Sequence, residues 1–186
     1  MNEYHASIVY NPYTLRRLNT VIGSTFRFGL KMMYLGICVI LLVIGARIGL
    51  HTAQGVALVC IACFLFPSVR AFDKNRANQM IRNMNGKTLT VNYTFQADRF
   101  WCEAPGEKAD YTYDTIARMV EQSDFLYLFP NANQAYMIDT STLEGGDLST
   151  FKAFLAEKVG LEWTKPMSML TMNIKQLRFN KKNTRL

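Results

Sequence analysis

The stretch MMYLGICVILLVIGARIGLHTAQGVALVCIACFLFPSV, residues 32–69, decides the fold of this chain. Its 38 residues carry one formal charge, Arg47, and no carboxylate. A bilayer core is about 30 Å thick, and roughly 20 helical residues cross it. The stretch is nearly twice that length, so a single helix would leave much of its apolar surface in water. It therefore predicts a membrane segment made of two helices.

The middle of the stretch predicts the turn between these helices. Glycines for chain reversal and polar groups for the far interface cluster there: Gly45, Arg47, Gly49, His51 and Gly55. We expect one transmembrane helix over about 28–49 and a second over about 53–71. Both are short, so the Arg47 side chain is expected to extend its charged end to the headgroups. A buried helical hairpin in a soluble protein is the alternative reading.

Basic residues flank the stretch on both sides and predict its orientation. Together with Arg47, the expected membrane-interface set is Arg16, Arg17, Arg27, Lys31, Arg70, Lys74 and Arg76. Positive charge stays on the cytoplasmic side of a membrane, and a two-helix hairpin places both flanks on one side. The predicted location is therefore the bacterial inner (plasma) membrane, crossed twice, with both termini in the cytoplasm. A signal peptide is not favoured, because 31 residues precede the stretch.

The net charge of +7 is unevenly distributed. Residues 1–87 carry ten Lys or Arg against two Asp or Glu, whereas residues 88–163 carry five against twelve. Residues 164–186 carry six Lys or Arg and no carboxylate. The basic groups thus lie beside the membrane and in a tail, as expected for contact with anionic lipid rather than nucleic acid.

Residues 88–163 alternate apolar and polar side chains between closely spaced turns, which predicts successive hairpins. The expected strands are 88–95, 99–104, 109–113, 116–122, 125–129 and 134–138. The period then changes to that of a helix, with Asp147 or Ser149 as its cap, an apolar stripe through Phe151 and Leu155, and Gly160 at its end. The predicted fold is α+β, with an antiparallel sheet or barrel closed by one C-terminal helix.

The order of short motifs in this region resembles the YcxB-like family. These motifs are Tyr113-Asp114-Thr115-Ile116, Val120-Glu121, Phe125-Leu126-Tyr127-Leu128-Phe129, Ala135-Tyr136-Met137-Ile138 and the helix around Phe151 and Phe154. Where the family has an Ile-Pro-Lys-like step, this chain has Ile138-Asp139-Thr140. Over residues 28–160 the resemblance implies a small bacterial protein with two transmembrane helices and a cytoplasmic domain similar to a pleckstrin-homology fold.

The two ends of the chain add smaller elements. Within residues 1–27 we expect a strand over 6–10, which could join the sheet, and an interfacial helix from Thr14. Residues 72–87 are expected to extend the second membrane helix into the cytoplasm. The tail, 164–186, is amphipathic, and its basic residues are Lys175, Arg178, Lys181, Lys182 and Arg185. It either lies on anionic lipid, packs on the acidic domain, or stays unstructured.

Residues suited to catalysis or metal binding do not form a recognisable constellation. Cys60 and Cys63 have the spacing of a metal or redox pair but lie in an apolar membrane segment, where a thiolate is costly. His5 and His51 fall at the terminus and in the outer turn, so they are not expected to share a site. We therefore expect no enzyme activity and no cofactor.

The expected function is that of a non-enzymatic membrane protein that presents a cytoplasmic interaction module. Its partner would be another protein or a second copy of the chain, because two short helices bury little surface unless they associate with others. The alternative is a membrane-protective or transport-accessory protein in which the hairpin is the active part. Nothing in the sequence identifies the partner or the process.

Overall fold

A computed structural model of the chain describes residues 3–167, apart from the side chains at positions 68–70, 72 and 73. The N-terminal half contains β1 (Tyr4–Tyr10), α1 (Pro12–Phe26), α2 (Phe28–Ile48) and α3 (Ala53–Asn83). Six strands follow: β2 (Leu89–Phe95), β3 (Arg99–Ala104), β4 (Glu107–Thr112), β5 (Arg118–Gln122), β6 (Phe125–Asn131) and β7 (Gln134–Asp139). The described chain ends with α4 (Leu148–Val159) and β8 (Trp163–Thr164). The basic tail residues named above lie outside the described residues.

The strands form two four-stranded sheets, so the fold is α+β as predicted. The order is β1-β2-β3-β4 in one sheet and β7-β6-β5-β8 in the other. All pairs are antiparallel except β5 with β8, which is parallel. The six strands predicted for residues 88–138 are each present, with ends shifted by two residues at most. The two-residue strand β8 was not predicted, because so short a segment carries no periodic signal.

The N-terminal strand joins the first sheet, which confirms one of the hypotheses above. It is longer than predicted and pairs with β2 over seven residues, from Tyr4 opposite Phe95 to Tyr10 opposite Leu89. The second sheet lies against the same strand. The hydroxyl of Thr142, just after β7, accepts from the Ser7 amide at 2.8 Å and donates to the Ser7 carbonyl at 3.0 Å. Strand β1 therefore connects the two sheets.

Helix α4 covers the core where the two sheets meet. Asp147 caps its first turn by accepting from the amides of Ser149 and Thr150, and Gly160 ends it at φ = 70°, a conformation that favours glycine. These are two of the boundaries that the sequence predicted. The rings of Phe151 and Phe95 are fully buried, with centroids 5.1 Å apart. Nine of the 23 described residues buried in this core are aromatic.

The apolar face of helix α1 packs against other elements of the protein, while Arg16 and Thr20 are exposed, and the place of α1 at a membrane interface stays a prediction. The side chains of Leu15, Leu18 and Ile22 are buried, and α1 contacts α3 and β1. Asn11 caps the helix in a capping box with Thr14. The sequence showed the apolar stripe but not what covers it, since that depends on elements distant in the chain.

Helices α2 and α3 pack side by side across a four-residue turn, and we call them the helix pair. Helix α3 is continuous, so the predicted second membrane helix and its extension form one helix that ends at Asn83, with Pro67 inside it. Within the described residues, α2 is the helix long and apolar enough to cross a membrane by length and composition. The apolar part of α3, Ala53–Pro67, is shorter.

Candidate functional site

The helix pair exposes large apolar side chains over most of its surface. On α2, Val39, Ile40 and Val43 are each more than half exposed, at 52%, 59% and 53%. Monomeric soluble proteins rarely expose contiguous apolar patches larger than a few hundred Å², and larger patches mark membrane or protein contacts. Within residues 3–167 these side chains stay exposed, as expected of a helix that is long and apolar enough to cross a membrane.

Small residues allow α2 and α3 to approach closely near their turn. Gly45 and Gly55 are buried, and a Cβ atom added to Gly55 would lie 2.2 Å from the Gly49 carbonyl oxygen. The same added atom would lie 2.9 Å from the Gly45 carbonyl oxygen. The glycines of the predicted turn therefore serve packing within the pair as well as chain reversal. Thr52 caps α3 by accepting from the Gly55 amide at 3.1 Å.

A first prediction follows from this contact. The change Gly55→Ala should lower the thermal stability of the helix pair, because the added methyl group cannot fit against the Gly49 carbonyl without moving one helix. Overpacking of this kind typically costs about 1–3 kcal/mol. The matched control is Gly36→Ala, because nothing lies within 4 Å of a Cβ at Gly36. Circular dichroism melting in phosphatidylcholine nanodiscs checks it, and equal melting of the two variants would contradict it.

The predicted membrane-interface basic residues occupy different surroundings. Arg16, Arg47 and Lys74 are exposed, Arg27 and Lys31 are half-buried, and the Arg70 side chain is not among those described. Arg17 and Arg76 instead contact the sheets. The Arg17 guanidinium lies over the rings of Tyr13 and Phe125, 5.4 and 5.3 Å from their centroids. The contacts of Arg17 with Phe125 and of Arg76 with Asn133 could not be predicted from the sequence, because these partners are far along the chain.

A cleft lies between the C-terminal part of α3, helix α1 and the sheets, and we call it the α3 cleft. Its volume is about 590 Å³. Helix α1 contributes Leu15, Leu18 and Ile22, and the α3 side contributes Arg76, Met80, Asn83 and Met84. The sheets contribute mainly Tyr10, Leu89, Tyr111, Ala135 and Tyr136. The wall is largely apolar with a few polar groups, which is the usual character of small-molecule sites.

The α3 cleft escaped the sequence analysis, although one signal pointed to it. Met80 and Met84 stand one helical turn apart in a segment otherwise rich in polar residues. Such a pair on a helix predicts an apolar contact. Which surfaces it would face could not be read from the pattern, since the other walls come from α1, β1 and the sheet strands.

Half-buried tyrosines line the cleft: Tyr10, Tyr111 and Tyr136. The Tyr111 and Tyr136 rings lie 4.9 Å apart, and the Tyr10 and Tyr93 hydroxyls lie 3.5 Å apart. Burial raises the pKa of Tyr10, Tyr93 and Tyr136 above the ordinary value. These phenols therefore stay neutral at physiological pH and act as hydrogen-bonding groups, not as bases.

The tyrosines predict how stability responds to alkaline pH. In the unfolded chain they ionise near pH 10, whereas the folded protein holds the pKa of each buried phenol higher. Their contribution to stability is therefore complete below about pH 10 and is lost as pH rises from there towards the folded pKa. Tyrosinate absorbance should appear together with unfolding, and Tyr136→Phe should remove one late-titrating phenol. Full ionisation of all tyrosines near pH 10 in the still-folded protein would contradict this.

Other groups considered from the sequence lie apart. Cys60 and Cys63 are exposed on the apolar part of α3, and Cys102 is half-buried in β3. His5 and His51 lie in different parts of the fold, in β1 and in the α2–α3 turn. Within residues 3–167, no three His, Cys, Asp or Glu side chains are grouped so that they could hold a metal ion.

Comparison with known proteins finds a family similarity over part of the chain. Residues 95–155, from the end of β2 into α4, match the family described as YcxB-like protein. The match confirms the resemblance predicted from the sequence, over a shorter range than the one first identified. It includes strands β3 to β7 and most of α4, but not β1, most of β2, β8 or the helix pair. No curated protein and no solved structure matches the chain.

Proposed function

We propose that this chain, similar to the YcxB-like family over residues 95–155, is a non-enzymatic integral protein of the bacterial inner membrane. The helix pair would hold a pleckstrin-homology-like module against the cytoplasmic leaflet. The module would bind a protein partner or a second copy of the chain. Both termini would lie in the cytoplasm.

The pairing of β1 with β2 is the observation that carries this proposal. Strand β1 precedes the helix pair and β2 follows it, yet they pair over seven residues. Helices α1 and α3, which come before and after α2 in the chain, also pack together. If only one helix crossed the membrane, β1 and β2 would lie on opposite sides and could not pair. A pair that enters and returns is consistent with this contact, and the basic flanks favour the cytoplasmic side.

The length of the second helix is compatible with two crossings. Its apolar part, Ala53–Pro67, is 15 residues, or about 22 Å at the helical rise. A segment shorter than the bilayer core is accommodated by local thinning of the bilayer and by flanking basic side chains that extend to the headgroups. Helix α3 continues beyond Pro67 without interruption, so helical hydrogen bonding extends through the interface except at the Cys63 carbonyl, because Pro67 has no N–H to donate to it.

The charge of the sheet domain favours a protein partner over direct capture of anionic lipid. Residues 88–163 carry twelve Asp or Glu against five Lys or Arg. Some of the basic residues are already paired: Arg99 with Asp110 at 3.1 Å, and Lys152 with Glu121. The remaining acidic excess would repel an anionic membrane surface and suits a basic surface on a partner.

Cysteine labelling in cells tests the topology. In a background without native cysteines, His51→Cys lies in the α2–α3 turn, while Thr20→Cys and Ser149→Cys lie before and after the helix pair at exposed positions. We expect a membrane-impermeant maleimide to label only His51→Cys in intact spheroplasts and all three after lysis. Labelling of Thr20→Cys and Ser149→Cys on opposite sides, or no outside labelling of His51→Cys, would overturn the arrangement.

A hairpin exchange tests the function itself. Helices α2 and α3, up to Pro67, are replaced by an unrelated two-helix hairpin of similar length, and proteins recovered with the chain from native membranes are compared. A recruitment module should keep its partner after the exchange. Loss of partner and of cellular effect, with the sheet domain still folded, would favour the alternative in which the hairpin is the working part.

A further inference from the structure

The α3 cleft has the size and lining of a site for an apolar ligand. Its volume of about 590 Å³ lies within the roughly 300–1,000 Å³ typical of small-molecule sites. Leu15, Leu18 and Ile22 of α1 line it together with Met80 and Met84. Methionine side chains adapt to irregular apolar shapes, so this lining suits a flexible hydrocarbon chain.

One cation stands among the lining residues. Among the described residues that line the cleft, Arg76 is the charged side chain, and no carboxylate is present. Its guanidinium donates to the Asn133 side-chain and main-chain oxygens at 3.3 and 3.4 Å. These two contacts are long, and a guanidinium carries five N–H donors. Arg76 is therefore positioned by Asn133 with donors left for an anionic group, which arginine binds in a bidentate manner.

The cleft lies near the level at which α3 would leave the membrane. Arg76 follows Pro67, the end of the apolar segment, by nine residues, or about 13 Å along the helix. Met80 and Leu89 are exposed as well as part of the cleft lining. An amphiphile at the cytoplasmic leaflet could enter with its chain towards these residues and its head towards Arg76.

The charge of the cleft favours an anionic amphiphile over the C-terminal tail as its occupant. The tail is long enough to reach many surfaces and has apolar residues, but residues 164–186 carry six Lys or Arg and no carboxylate. Insertion of that segment would bring like charges towards Arg76 in a site without a carboxylate. An anionic head meets no such repulsion.

We infer that the α3 cleft binds an anionic amphiphile with a single apolar chain, of the fatty-acid class, with its carboxylate on Arg76 and its chain along the apolar side chains that α1, α3 and the sheets contribute to the cleft lining. The inference goes beyond the proposed interaction function and rests only on the membrane location proposed there. A bound amphiphile would contact α1, α3 and the sheets at once. Its presence would thus be communicated directly to the domain that meets the partner.

Photolabelling tests the site. The full chain in phosphatidylcholine nanodiscs is irradiated with a long-chain fatty acid bearing a diazirine, and adducts are located by mass spectrometry. We expect adducts concentrated on Met80, Met84 and Leu89. Arg76→Gln should lower their yield about tenfold at subsaturating probe, since a hydrogen bond to a charged group is typically strong enough for such a loss. The matched control is Arg82→Gln, because Arg82 is exposed on the same helix and does not line the cleft.

A second probe distinguishes the contribution of the charged head to binding from that of the apolar chain. The corresponding fatty alcohol has the same chain without the charge, so it should label the cleft about tenfold less and be insensitive to Arg76→Gln. Adducts spread over exposed α2 residues such as Ile40, adducts on residues 168–186, or equal losses in Arg76→Gln and Arg82→Gln would each overturn the assignment. Because labelling reports on the cleft alone, it can fail while the cysteine topology holds, and the reverse is also possible.

Discussion

Replacing Ile8 by alanine should lower the free energy of unfolding of the sheet domain by about 2–5 kcal/mol, the usual cost of truncating a buried isoleucine. The Ile8 side chain is 1% exposed and belongs to the main core cluster, and its residue pairs with Val91. Because β1 connects the two sheets, the cavity would lie where collapse of the surrounding structure is restricted. Small domains have total stabilities of about 5–15 kcal/mol, so this loss is a large part of the whole.

Val9 provides the matched control on the same strand. It is 43% exposed and points to the opposite face, as expected for neighbouring residues of a strand. Val9→Ala should therefore change stability by about 0.5 kcal/mol or less. Urea unfolding of the full chain in nanodiscs, followed by the fluorescence of Trp101 and Trp163, measures both. Equal losses would mean that β1 does not contribute a buried face to the sheet domain.

Replacing Phe151 by alanine should destabilise the domain by about 3–5 kcal/mol, because a fully buried aromatic ring is removed from a close-packed site. The ring contacts those of Tyr4 and Phe95, with both pairs of centroids 5.1 Å apart. These three residues come from α4, β1 and β2, so one side chain stabilises three distant parts of the chain. Aromatic contacts of this kind add to the effect of burial alone.

Glu157→Ala is the control for α4, because Glu157 is exposed on the same helix. Alanine is a good helix former, so the change should leave stability within about 0.5 kcal/mol. The same urea experiment applies. If Phe151→Ala unfolded at the same urea concentration as Glu157→Ala, α4 would not be the cover of the core, and the sheets would have to be stable without it.

The local elements of this protein were predictable because their signals are local. Apolar residues in the pattern of strands predicted the strands from Leu89 to Asp139, and the turn residues between them predicted where the strands end. The Asp147 and Gly160 boundaries of α4 follow from hydrogen bonding and backbone conformation within one helical turn. The apolar stretch at residues 32–69 likewise predicted helix α2 and the apolar part of α3, because its signal is the local composition.

The contacts that form the α3 cleft and that hold α1 against α3 and β1 could not be predicted from local sequence signals. An apolar stripe such as Leu15, Leu18 and Ile22 is equally suited to lipid and to protein, so the sequence alone pointed to the membrane surface. Only the packing of α1 against α3 and β1 decides between them. Likewise, the partner of Arg76 is Asn133, 57 residues away, and no periodicity relates two such positions.

The sequence by itself determined that this chain carries a membrane-compatible apolar stretch between basic flanks, and that an acidic α+β region follows it. Both are properties of composition and short-range periodicity, which hold whatever the rest of the chain does. The tertiary structure alone decided that β1 pairs with β2 across the helix pair. That pairing depends on burial shared by residues 79 to 91 positions apart. It brings the strands that precede and follow the apolar stretch into one sheet.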